Sequence, residues 1–375
     1  MHFEYRELQP DQLRLLRPVI VDNSPLVFEM THHLRGNPPP YTAISYTWGR
    51  DPPTERILIN HESFWVRRNL YDCLQVLGQR AMAGSETWTH IWVDAICIDQ
   101  DNDVERSQQV RLMDQVYSHA DTVSVWLGYP KSVVTSEEYD LLSSFRNLPD
   151  SAQDGLAIST KSLIQELGSH PYWERCWVIQ EVLLGKKLDV CFGLHRIEPS
   201  ILYELADRLN RAHQMVCSPL LILAVNNDSR GSLEYKEMSL EELLFFYSDS
   251  KCEDPRDRVF ALLGLVASEE RELLERFLPD YTMTSDDVIV TAFALTKTTD
   301  RHYRSIREGI NRREILVGFG LHEEERRRQV LERAEHYDYL GDVPSNLCPW
   351  WLEEQKKASE GLEILKEEAC ARRAS

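Results

Sequence analysis

Three short strand-like segments, each halted by a polar or glycine break, constrain this chain more than any other feature. They are AISYTW at 43–48, stopped by Gly49 and Asp51-Pro52-Pro53; HIWV at 90–93, running into Asp94; and TVSVWL at 122–127, closed by Gly128. Strands of this length that alternate with helices argue a parallel sheet covered by helices. The stretches between them carry the period of a helix. Leu70, Cys73, Leu74 and Leu77 form one stripe, and Val110, Met113, Val116 and Tyr117 form another within 104–119. Residues 56–59 and 63–66 flank Asn60-His61-Glu62 as a hairpin. A helix over 171–184 opens on Pro171 and ends at Gly185, followed by a last strand at 188–192. Alternation of this kind predicts an α/β domain with a parallel sheet.

Beyond Pro199 the pattern becomes helical. Ser239 and Glu242 have the spacing of a capping box. Asp254-Pro255 opens a helix through Val266, and further helices are expected over 284–297, 323–337 and 352–373. The expected organisation is an N-terminal extension over 1–40, an α/β domain over 41–198 and a mainly helical region over 199–375.

Charge and cysteine content exclude several classes. Sixty-one acidic against 42 basic residues give a net charge of −19, which repels phosphate backbones and anionic membranes and argues against nucleic-acid or membrane partners. Eight cysteines without a C-x-x-C pair fit neither a disulfide scaffold nor structural zinc. They are expected to be reduced thiols of a cytoplasmic or nuclear protein, in keeping with a start that lacks a secretory pattern. The chain has no G-x-G-x-x-G, P-loop, H-E-x-x-H or G-x-S-x-G motif, and Asp99, Asp101 and Asp103 break off from the calcium-loop pattern at Val104, so no metal site is expected.

What remains is a set of polar groups beyond the ends of the expected strands. Tyr46, Trp48 and Gly49 follow the first, and Asp94, Cys97, Asp99 and Gln100 follow the second. In an open parallel sheet, ligands bind beyond the carboxyl ends of the strands. Arg175, Gln180 and Glu181 interrupt an otherwise apolar helix. A carboxylate there is either a member of a structural ion pair or a functional group. Trp48 is read either as a binding platform or as core, Asp94 as a ligand-facing group or a cap, and Arg175 as a phosphate ligand or an acid's partner.

These same residues carry a family resemblance. Residues 41–49 (YTAISYTWG), 91–100 (IWVDAICIDQ), 105–113 and 172–181 (YWERCWVIQE) resemble, in order, the motifs of fungal heterokaryon incompatibility (HET) domains. Residues 254–264 and 279–281 resemble a later segment of many such proteins. The resemblance implies a role in non-self recognition and regulated cell death. Trp177 to Glu181 also has the spacing of the W-C-x-x-E segment of Toll/interleukin-receptor (TIR) domains, with Val178 in place of Cys. That similarity implies a flavodoxin-like, TIR-like sheet and, since some TIR domains cleave NAD⁺ with that glutamate, a catalytic Glu181. Tyr46, Trp48, Gly49, Asp94, Arg175 and Gln180 then become candidate substrate-binding residues. NAD⁺ or a related nucleotide is the implied substrate, with no cofactor and with self-association or a protein partner. The competing expectation is a non-catalytic module that triggers death by assembly.

Overall fold

A computed structural model of the chain describes residues 3–19, 26–82, 89–131, 135, 137, 158–199, 201–202, 238–296 and 312–336. The expected helix over 352–373 and residues 203–237, at the start of the expected helical region, lie outside them.

The strands are β1 (Gln12–Pro18), β2 (Val27–Leu34), β3 (Tyr41–Tyr46), β4 (Glu55–Ile59), β5 (Glu62–Val66), β6 (His90–Trp92), β7 (Thr122–Trp126), β8 (Leu188–Phe192) and β9 (His195–Ile197). The helices are α1 (Arg68–Met82), α2 (Asp94–Cys97), α3 (Asp103–Val110), α4 (Met113–His119), α5 (Ile158–Gly168), α6 (Cys176–Leu184), α7 (Leu240–Phe246), α8 (Asp257–Phe260), α9 (Ser268–Leu274), α10 (Ser285–Thr296), α11 (Arg312–Gly318) and α12 (Glu324–His336).

All nine strands form one sheet in the order β5-β4-β2-β1-β6-β3-β7-β8-β9. Its centre, β6-β3-β7-β8, is parallel throughout. By order of appearance these four strands run 2-1-3-4, so the winding direction reverses at β3. Every residue of β3 is buried, the consequence of helices on both faces.

The expectation of a parallel sheet is corrected to a mixed one. β1 runs antiparallel to both β2 and β6, β4 to β5, and β8 to β9. The segment 1–40, expected as an extension ahead of the sheet, supplies two of its strands. Its residues Leu13, Leu15 and Leu16 are fully or almost fully buried, and that burial holds β1 beside β6. The β4–β5 turn places Asn60 and His61 both at positive φ, the geometry that a two-residue hairpin turn requires.

Three expected helices are interrupted. The 104–119 stripe divides into α3 and α4. Segment 171–184 is a 3₁₀ turn over Pro171–Glu174, an extended Arg175 at φ −77° and ψ 136°, and then α6. Segment 254–266 contains only α8 and a 3₁₀ turn over Leu263–Leu265.

Among the described residues beyond 238 the elements are helical. The Ser239 hydroxyl accepts from the Glu242 N–H at 3.3 Å, and the Glu242 carboxylate accepts from the Ser239 N–H at 2.8 Å. These helices pack on α3, α4 and α6. Arg271 donates to Asp114 at 2.6 Å, and the Tyr281 N–H donates to the Ser107 hydroxyl at 3.3 Å. At Gly264 the approach is closest: an added Cβ would lie 2.6 Å from the Asp114 Cβ. Gly264→Ala is therefore expected to destabilise the chain by about 1–3 kcal/mol through overpacking, measured as a lower urea midpoint with unchanged slope.

Candidate functional site

The carboxyl ends of β3 and β6 open into a cleft of about 620 Å³, within the size range of small-molecule sites. Its sheet-side wall comprises Thr47, Trp48, Gly49, Arg50, Asp94, Ile98 and Gln100. Arg106, Val110 and Met113 enter from α3 and α4, and Arg175 and Trp177 from the start of α6. The opposite wall is Lys251 to Asp254, Asp257 and Tyr281, which the sequence had not suggested as part of any site.

Trp48 and Asp94, 46 residues apart, meet at the sheet edge: the Trp48 indole N–H donates to the Asp94 carboxylate at 2.9 Å. Asp94 begins α2 directly after β6. Its other oxygen accepts from the Ala95 N–H at 2.7 Å, and its carbonyl accepts from the Gln100 amide at 2.9 Å. Burial pushes the Asp94 carboxyl upward, against the opposing pull of Arg175 and of the hydrogen bonds from Ala95 and Trp48. The Arg67 guanidinium lies over the Trp48 ring at 5.3 Å from its centroid, so this indole already accepts a planar cation. Gly49 sits at φ +75°. That left-handed turn carries the chain away from β3 and leaves Trp48 at the cleft.

Arg175 reaches the cleft because it is extended between two helical turns. Its guanidinium donates to the Tyr46 carbonyl at the end of β3. Burial works against its charge, but Glu181, Asp94 and Tyr172 outweigh that and hold its pKa above the ordinary value. Tyr46 itself is buried; its hydroxyl is not at the cleft wall, and only its carbonyl takes part.

Glu181, the catalytic residue that the TIR similarity implies, is 2% exposed and does not line the cleft. The Ser45 hydroxyl donates to its carboxylate, and Ser45 also shares a hydrogen bond with the Tyr172 hydroxyl at 2.5 Å. The reason is depth. Glu181 is one turn beyond Trp177 on the same helical face, about 6 Å further along α6, and by then the helix has passed under β3. Burial raises the Glu181 carboxyl to about 7, although Arg175 and Ser45 pull it down. Gln180 is also displaced from the site. Its amide, suitably oriented, donates to the Ala261 carbonyl at 3.1 Å and accepts from the Asp114 N–H at 2.8 Å, so it joins α4 to the helical region.

The far wall is a polar cluster of its own. The Tyr281 hydroxyl donates to Asp257 at 2.6 Å, and the Trp177 indole donates to the other Asp257 oxygen at 3.0 Å. Arg106 and Arg256 lie over the Tyr281 ring at 4.3 and 5.1 Å. Cys97 is buried, its thiol raised by burial to about 12, which removes it as a nucleophile. Among the described residues no cluster of three His, Cys, Asp or Glu could hold a metal ion, and no helix is long and apolar enough to cross a membrane.

Residues 41–181 match the family model described as "Heterokaryon incompatibility protein (HET)". The chain is 26% identical to "Heterokaryon incompatibility protein 6, OR allele" of Neurospora crassa, over 66% of this chain and 45% of that protein. It thus spans less than half the length of the curated relative it matches. No solved structure matches it.

Proposed function

Because residues 41–181 are a HET domain, we propose that this chain serves in heterokaryon incompatibility, and that the cleft beyond β3 and β6 binds NAD⁺ or a related nucleotide and cleaves its nicotinamide–ribose bond. The observation that carries the reading is the Trp48–Asp94 pair inside an open cleft at the point where the sheet reverses its winding. That is where open α/β sheets hold ligands, and the 2-1-3-4 run of parallel strands supports a flavodoxin-like, TIR-like relationship. The parts match the ligand's chemistry. An indole that already stacks on a guanidinium suits a cationic nicotinamide ring. Arg50, Arg106 and Arg175 supply positive charge for a diphosphate. Asp94 supplies the carboxylate that faces the cleft and offsets the oxocarbenium-like charge developing on the ribose. Glu181 adds a second negative charge behind Arg175 and acts as a positioning residue.

The burial of Glu181 favours a second reading, a nucleotide-sensing module that assembles with copies of itself or with a partner and does not turn its ligand over. Both readings require binding. Titration calorimetry with NAD⁺ is expected to show saturable binding. Trp48→Ala should weaken it roughly tenfold, the value of a partly desolvated cation–π contact. Asp94→Asn should weaken it less, because the amide oxygen still accepts from the indole. Equal affinity for wild type and Trp48→Ala would remove Trp48 from the site.

A further inference from the structure

Two cysteines meet where the helical region closes on the sheet domain. Arg175 and Lys251 form an isolated parallel β-bridge, and the Cys176 N–H donates to the Lys251 carbonyl at 2.9 Å. The residues that follow the bridged pair on each chain are Cys176 and Cys252. Chains at a β-bridge lie about 5 Å apart, inside the roughly 4.4–6.8 Å Cα range that a disulfide spans. Cys176 is buried as the first residue of α6, and Cys252 is half-buried and lines the cleft. Both are free thiols.

We propose that Cys176 and Cys252 are a site of reversible oxidation by hydroperoxides, closing to an intrachain disulfide across the wall of the cleft. The division of labour follows from access and charge. Cys252 is open to a small oxidant through the cleft. Its thiol is held below the ordinary value, chiefly by its interaction with Cys176 and also by Arg258, which favours the thiolate that reacts. Cys176 is enclosed and is the resolving partner. In the first step the Cys252 thiolate attacks one peroxide oxygen. The O–O bond breaks, Cys252 becomes a sulfenic acid, and the other oxygen leaves as alkoxide or hydroxide and is protonated. In the second step the Cys176 sulfur attacks the sulfenic sulfur. The S–S bond forms, and hydroxide leaves with the Cys176 proton as water. The two sulfurs together give up two electrons to the O–O bond, so hydrogen peroxide ends as two waters. Dithiol reductants reverse the bond by exchange.

The crosslink would fix Lys251 to Asp254, one wall of the cleft, to the start of α6 beside Arg175. The proposal holds whatever the cleft binds. The test treats the 375-residue chain with hydrogen peroxide and maps its peptides without reduction. The expected result is a linked peptide joining Cys176 to Cys252, absent after dithiothreitol, with the oxidised chain melting at a higher temperature than the reduced one. Cys176→Ser should halt at a Cys252 sulfenic acid that dimedone labels. A map lacking that linked peptide, or one joining Cys252 mainly to another cysteine, overturns the proposal. The wild-type map alone decides it should the Cys176→Ser variant fail to fold.

Discussion

Arg14→Ala is expected to destabilise this chain by on the order of 3–5 kcal/mol, a fall in melting temperature of on the order of 10 °C. Arg14 is 0% exposed in the middle of β1. Its guanidinium holds the Glu105 carboxylate in a fork, donates to the Cys97 carbonyl at 3.1 Å and to the Arg6 carbonyl at 2.7 Å, and stacks on Tyr5 at 4.9 Å. Glu105 in turn accepts from the Asp99 N–H at 2.8 Å. One buried cation thus joins the N-terminal strands to the turn that carries Asp94 and Gln100. Truncating it leaves Glu105 as an uncompensated buried carboxylate, and that penalty dominates the loss. Replacing both partners together, as in Arg14→Met with Glu105→Leu, should restore most of the stability. A loss below about 1 kcal/mol in urea for the single variant would show that water reaches the pair.

Glu181→Gln is expected to leave the fold intact and to remove a pH dependence. The Glu181 carboxyl titrates at about 7 in the folded chain against an ordinary 4.5. Between those values the folded chain holds a proton that the unfolded chain has lost. Its contribution to stability is therefore complete below about pH 4.5, falls as pH rises towards 7 and stays absent above, a change on the order of 3 kcal/mol. Glutamine has no proton to lose and keeps an acceptor for Ser45. The variant should match the wild type near pH 4.5 and melt at an equal or higher temperature at pH 8. Melting on the order of 10 °C lower at pH 8 would instead show that the charge is needed as the structural partner of Arg175.

The strands that position the cleft were legible because they are short, rich in apolar residues and each closed by a polar or glycine break. Segments 43–46, 90–92, 122–126 and 188–192 read as buried strands, and Trp48 and Asp94 as neighbours beyond their ends. The first two strands were not. QLRLLRP carries a buried arginine within its apolar run, and the partner that neutralises it, Glu105, lies 91 residues away. The depth of Glu181 was hidden for a related reason: the period of a helix gives the face of a side chain but not how far along α6 the sheet covers that face. The wall from Lys251 to Asp254 has no periodicity, and it is the β-bridge of Lys251 to Arg175, with the Lys251–Glu174 ion pair, that brings it to the cleft.

The reading of the cleft as an NAD⁺-cleaving site is tested most directly by free nicotinamide. The purified chain, concentrated to favour self-association, is incubated with NAD⁺ and the released nicotinamide is quantified over time, alongside Asp94→Asn and Glu181→Gln variants shown by their melting curves to be folded. Nicotinamide release by the wild type is expected, with loss of most of that release in both variants. Bound NAD⁺ that stays intact under these conditions, or release undiminished in Asp94→Asn, would contradict it.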